Sequence, residues 1–224
     1  TPQTATAGYG THPPHAARVA RLKDGIVAGR YAAGQPRLPD RFAAARKRIE
    51  ADLTRAELGK LAAVRFGRLI TEALLGKETV LADTAATRYL AMVGKSVALF
   101  SGKNDFEYNF ILTDGRGTEC YSAPGGYVIV PRGALLSMDS EAELAAALAI
   151  QIAHINLGHH LASFPLPDAK EPPAVWQARA AAAARALVKN GYTRKELYTA
   201  DRAALLYLAE TGYDGEALAR WIKR

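Results

Sequence analysis

Two imidazoles four residues apart on one helical face, with a carboxylate beside the first, can hold a zinc ion and take a proton from its bound water. The segment Leu148-Ala149-Ile150-Gln151-Ile152-Ala153-His154 has the frame of such a site without its donors. The positions that would read His-Glu-x-x-His are Ile150, Gln151, Ile152, Ala153 and His154. A hydrocarbon stands at the first ligand position and a neutral amide at the general-base position; of the two ligand positions only His154 keeps a donor nitrogen. His159 and His160 follow five and six residues later. On an uninterrupted helix they sit about 140° and 240° around from His154, so the spacing predicts no shared metal among the three. Cys120 is the only cysteine. It excludes an intrachain disulfide and lies in a strand-like run, residues 118–122, with no histidine nearby, which suits a structural role.

The elements that must position these side chains are legible in outline. Residues 140–161 are Ala- and Leu-rich and apolar nearly all round, which predicts one helix buried at the centre of a domain. Further helices are expected at 173–189, 193–212 and 214–222, with Gly191 and Gly212 as stops. Between about 106 and 130 the pattern is strand-like. Phe106, Tyr108, Phe110 and Leu112 recur at period two, and short strands at Tyr121–Ala123 and Tyr127–Val130 flank Pro124-Gly125-Gly126. Upstream, a helix starts at Asp83 or Thr84 and runs through Leu99. Residues 40–75 predict a helical pair with a break near Leu53-Thr54, where Thr54-x-x-Glu57 reads as a capping box. Three stretches follow: an irregular Gly- and Pro-rich lead-in over 1–39, a basic helical arm over 40–79, and a main domain over 80–224.

The net charge of +7 is unevenly placed. Residues 1–70 hold 13 Lys and Arg against 5 Asp and Glu, and the remaining residues hold 16 against 17. The excess in Arg41, Arg46, Lys47, Arg48, Arg55, Lys60, Arg65 and Arg68 would suit an anionic envelope component. No aromatic interleaving marks a nucleic-acid platform. No run of about 18 apolar residues marks a membrane span.

Four ordered blocks over residues 80–224 resemble the HtpX/Oma/CAAX-prenyl-protease family of gluzincin-type zinc metallopeptidases. Tyr121-Ser122-Ala123-Pro124-Gly125-Gly126-Tyr127-Val128-Ile129-Val130 is similar to its cleft-edge strand. Ser140 to Ala149 is similar to the lead into its metal helix, and His154-Ile155-Asn156-Leu157-Gly158-His159-His160 to the end of that helix. Ala200-Asp201-Arg202, with Leu205 to Ala209 and Gly212-Tyr213-Asp214, is similar to its second helix. The resemblance implies an α+β, zincin-like fold: a small, mainly antiparallel sheet, a buried central helix and a helical C-terminal layer. It maps the three zinc ligands to Ile150, His154 and Leu197, and the base to Gln151. Glu196, next to Leu197, is turned about 100° away. Asp201, which in the family orients a ligand, is expected to pair with His154 or cap a backbone group. The two aliphatic replacements, Ile150 and Leu197, are expected to pack together where the metal would have been.

The implied peptide cleft is Ala123, Pro124, Gly125, Gly126, Tyr127 and Val128, where an extended peptide would add as a strand. The first reading is therefore a catalytically inactive homologue that binds a peptide or unfolded protein segment and holds no cofactor. A zinc-dependent endopeptidase with an altered site is the alternative, and an envelope adaptor working through its basic arm is a third reading. The expected location is the periplasm or the secreted space, as a lipoprotein whose anchor is absent from this chain.

Overall fold

The computed structural model describes residues 39–76, 78–103 and 105–223, together with Ala20. The expected lead-in over residues 1–39 lies outside the described residues except for Ala20 and Pro39, both helical. The chain divides into two compact units, Thr1–Asp52 and Leu53–Arg224. In the first, the described residues 39–52 are helical and, from Ala43 onward, exposed.

Helix α1 runs unbroken over Pro39–Leu75. The expected break at Leu53-Thr54 is absent because the run of Ala, Leu, Arg, Lys and Glu on either side keeps favouring helix. A capping-box pattern caps nothing when the preceding turn is already helical. In the second unit, α1 buries Ala63, Phe66 and Ile70 at helical spacing. Its Gly67 lies so close to the Pro124 carbonyl that no Cβ would fit. Several of the basic residues of this segment are matched internally. Arg46 pairs with Glu50, Lys60 with Asp105 and Arg68 with Glu72, while the Arg65 guanidinium lies 4.4 Å over the Trp176 ring.

Helix α2, Ala85–Leu99, starts at a capping box in which the Thr84 and Thr87 side chains bond each other's backbone N–H. Strands β1 (Asn109–Thr113), β2 (Tyr121–Ala123) and β3 (Tyr127–Pro131) form a sheet in the order β1-β3-β2. β3 pairs parallel with β1 and antiparallel with β2. The sheet is therefore mixed, not mainly antiparallel. The chain leaving β1 passes over the site of β3, forms β2 at the far edge and then turns back between the two, so β3 must run in the direction of β1.

A short helix α3, Arg132–Ser137, leads to the central helix α4, Glu141–Asn156. Ser140 caps α4 by accepting from the Glu143 N–H. α4 packs against α2, β2, β3 and the C-terminal helices at Arg194–Thr211 and Glu216–Ile222. From Glu143 to Asn156 every side chain but one is buried, and the exception is Ile150. The layer is completed by α5 (His159–Ser163), α6 (Pro173–Asn190), α7 (Arg194–Thr211) and α8 (Glu216–Ile222). The main core joins Leu90, Val97, Leu112, Val128, Leu148, Ile152 and Leu208. A second cluster packs Phe66 and Ile70 of α1 on Trp176, Ala180 and Leu187 of α6. No helix among the described residues is long and apolar enough to cross a membrane.

Candidate functional site

A cleft of about 730 Å³ opens beside Ile150, the one side chain between Glu143 and Asn156 that is not fully buried. Ile150, Gln151, His154 and Leu197 all line it. Positions 47 residues apart in the chain thus converge on one locus. Its other walls are the stretch Thr118–Tyr121, the end of α6 from Leu187, and Trp221 and Ile222 of α8.

The side chains around His154 are locked in place. Its ring is 1% exposed and stacks on Tyr192 with centroids 3.5 Å apart and planes 18° from parallel. Its Nδ1 lies 2.9 Å from Nδ1 of His159, whose Nε2 is 3.2 Å from the Thr199 hydroxyl. His160 Nε2 meets the Tyr192 hydroxyl at 2.6 Å and Ser122 Oγ at 3.3 Å. The Ser122 hydroxyl donates to Gln151 Oε1 at 2.8 Å, so the amide at the general-base position is tied into the wall of the sheet.

An uninterrupted helix would hold His159 about 140° away from His154; the chain instead brings the two rings together. α4 ends at Asn156, and Gly158 takes a left-handed conformation, φ 70°, before α5 begins. That single residue, which only glycine adopts cheaply, turns the chain back so that His159 and His160 flank His154. Gly158 itself was the signal in the sequence. Tyr192, also missed, comes from the loop between α6 and α7 that Gly191 permits. Asp201 is half-buried on α7, and it is His159 that holds His154. Leu197 remains 42% exposed and Ile150 half-buried, so the two aliphatics leave an open apolar surface rather than a filled locus.

Glu196 is not a substitute ligand. It completes the capping box of α7, where its Oε2 accepts from the Thr193 N–H at 2.8 Å and from the Thr193 hydroxyl at 2.7 Å. Cys120 packs against the core, and burial pushes its thiol up to about 12. It is therefore not the thiolate that a nucleophile requires.

The expected peptide cleft at Ala123, Pro124, Gly125, Gly126, Tyr127 and Val128 is corrected by the sheet order. β3 has a neighbour on each side, and all six residues are buried except Tyr127, which is half-buried. Gly125 is pressed against Val64 of α1. On the sheet side the cleft is bordered by Thr118–Tyr121, which lead into β2. The other two residues of that strand, Ser122 and Ala123, are buried.

The profile of Peptidase family M48 matches residues 84–222, a span that begins at the cap of α2 and takes in the sheet, α4 and the whole C-terminal layer. The chain belongs to peptidase family M48. It is also 25% identical over 178 residues to a Vibrio cholerae protein described as a "Putative beta-barrel assembly-enhancing protease", with 71% of this chain and 37% of that protein covered. The chain thus spans well under half the length of that relative.

M48 peptidases as a family use zinc, and the donor set of this M48 chain does not fit that ion. A catalytic zinc needs about three protein ligands. Ile150 and Leu197 offer only carbon, and His154 has one ring nitrogen engaged by His159. Among the described residues no group of three or more His, Cys, Asp or Glu is arranged to hold a metal.

Burial also fixes the charge of the cluster. It lowers His154 to about 3, with His160 and His159 adding to the effect, and lowers His160 to about 4. Both are neutral in the folded protein at neutral pH, whereas in the unfolded chain a histidine titrates near 6.5. Above about pH 6.5 neither state gains a proton. Below it the unfolded chain binds protons that the folded one refuses, so stability falls with acidification. The expected slope is about 1.4 kcal/mol per pH unit for each histidine between about pH 6 and 5. Urea unfolding across pH 8 to 5 checks this: a midpoint that holds down to about pH 7 and then drops is expected, and a flat profile contradicts it.

Proposed function

We propose that this chain is a non-catalytic M48 homologue of zincin-like fold that holds an extended peptide or unfolded protein segment in its cleft without cutting it. The observation that carries the reading is the cleft itself. The ligand and base positions face it together, yet they present Ile150, Gln151 and Leu197. With no metal to acidify it, water keeps a pKa near 15.7, and Gln151 has no carboxylate to take its proton.

What survives suits binding. The stretch Thr118–Tyr121, leading into β2, lines the same cleft, and holding an extended segment along such a rim needs no metal. The description of the Vibrio cholerae relative concerns β-barrel assembly. It supports segments of envelope proteins as the ligand class and the periplasm as the place, and both belong to this proposal.

The test is to incubate the protein with reduced, unfolded casein and a random peptide pool, isolate complexes by gel filtration and identify the retained peptides by mass spectrometry. Retained, intact peptides are expected. Fragments that vanish on chelation would establish the altered-site peptidase instead, and a protein that retains nothing would end the binding reading.

A further inference from the structure

We propose that a groove between α1 and α6, apart from the cleft, docks an acidic amphipathic helix of a partner protein. α6 has two apolar faces. One, with Trp176, Ala180, Ala183 and Leu187, packs on Phe66 and Ile70 of α1 and fixes the two helices together. Beside it, Ala181, Ala184 and Val188 stand at i, i+3 and i+7, the spacing of a second stripe. With Ala73 and Leu74 of α1 they line a groove of about 440 Å³. Val188 is 57% exposed, so hydrocarbon is left open in a concavity. The other two lining residues, Arg185 and Lys189, stand about one turn apart on α6. No carboxylate lines the groove, and among the described residues neither cation is in an ion pair. Glu72, next to Ala73, is engaged by Arg68.

These contents name the occupant. Both walls are helices, whose backbone groups bond within themselves. An extended segment laid between them would bring bare N–H and C=O groups against hydrocarbon, with nothing to bond. A helix arrives with its own backbone satisfied, and alanine at three lining positions lets it approach closely. Ala181 to Val188 spans about 10 Å of axis, two turns, so carboxylates one turn apart on a partner helix meet Arg185 and Lys189 together. A bilayer surface is flat and would not reach Ala184 on the groove floor, which is 3% exposed. Charge argues against the chain itself. Residues 1–38 hold Arg18, Arg21, Lys23, Arg30 and Arg37 against Asp24, and a second copy brings a net charge of +7, both the wrong sign for this rim. Val188 and Lys189 also line the cleft, so a docked helix lies alongside it.

The probe is a fluorescein-labelled, Ala-rich peptide of about 20 residues, with Leu at i, i+3, i+4 and i+7 and Glu one turn apart beside that stripe. Two further peptides of the same length serve as comparisons. One has Lys for every Glu; the other has the same composition with its leucines spread round the helix. By fluorescence anisotropy, the wild type is expected to bind the acidic amphipathic peptide at least about tenfold more tightly than either. Arg185→Glu, in the groove but not the cleft, should remove most of the preference over the Lys peptide. Ala73→Trp, at an exposed site on the other wall, should fill the groove and weaken binding by a similar factor. Arg194→Glu makes the same change of charge off the groove, and Leu197→Asp alters the cleft alone; both should bind as the wild type does. Thermal melts confirm that the four variants fold. Equal affinity for the three peptides overturns the proposal, as does a preference that survives Arg185→Glu or binding that survives Ala73→Trp. Loss of binding in Leu197→Asp would move the peptide to the cleft and overturn it too. Phosphatidylglycerol vesicles that sediment with the wild type and not with Arg185→Glu, while no peptide binds, would assign the groove to a lipid surface instead.

Discussion

The triple variant I150H/Q151E/L197E will take up close to one zinc per chain, while the wild type purified in parallel takes up none. The backbone is already arranged for this outcome. Ile150 and Leu197 line the same cleft as His154, so the substitutions add one imidazole and one carboxylate to His154 around one locus and return a base beside it. The orientation of His154 is already fixed by its Nδ1 contact with His159, the kind of outer partner that holds a metal-binding imidazole in one tautomer. Elemental analysis of untagged protein, purified without chelator, reads the result. The variant should also cleave unfolded casein in a chelator-sensitive way, a gain from no detectable turnover. Near-stoichiometric zinc in the wild type would refute the inactive-site proposal. An empty variant that remains folded would mean that the cleft has drifted too far to be rebuilt by restoring its donors.

Replacing Trp176 with alanine will cost about 3–5 kcal/mol of stability. The indole is 1% exposed, meets Phe66 edge-on with centroids 6.1 Å apart, and donates from Nε1 to the Asp168 carbonyl at 3.2 Å. Arg65 covers its outer face. Truncation therefore opens a cavity between α1 and α6 and leaves the carbonyl without that donor. Trp176→Phe keeps most of the ring volume and should cost about 1–2 kcal/mol, largely the lost hydrogen bond. Equilibrium unfolding in urea measures both, and a loss under about 1 kcal/mol for the alanine variant would show that this cluster contributes little. Because α6 ends in Leu187, Val188 and Lys189 on the cleft wall, the alanine variant should also bind peptide more weakly.

What the sequence disclosed and what it hid divide along local and non-local physics. The central helix was legible because Glu143 to Ile155 is apolar almost all round. The convergence of Ile150, His154 and Leu197 came through four ordered motif blocks, each a local pattern. The fold-back of His159 onto His154 was lost because a rotation of 100° per residue holds only while the helix continues, and Gly158 ends it. The strand order was lost because pairing joins distant segments. Tyr127–Pro131 carried a clue all the same. Val128-Ile129-Val130 is continuously apolar rather than alternating, the mark of a strand covered on both faces and flanked by neighbours. The unbroken α1 shows the reverse error: the Thr54-x-x-Glu57 pattern, sound at a helix start, has no force inside a helix already under way.

The brevity of β2 has a kinetic meaning. Three residues, Tyr121–Ala123, make up the strand and only Tyr121 borders the cleft, so a segment held there gains a ladder only about 3 Å long. Few main-chain bonds can form, each worth about 1 kcal/mol net, and ordering the segment offsets part of that gain. Affinities in the range of about 1–100 μM follow. With association at about 10⁶ M⁻¹s⁻¹, a bound segment stays for roughly a second or less. A cleft with so little edge suits repeated capture and release of a client chain. The same brevity protects the protein from itself: with Ser122 and Ala123 buried, a second copy finds almost no edge to template on.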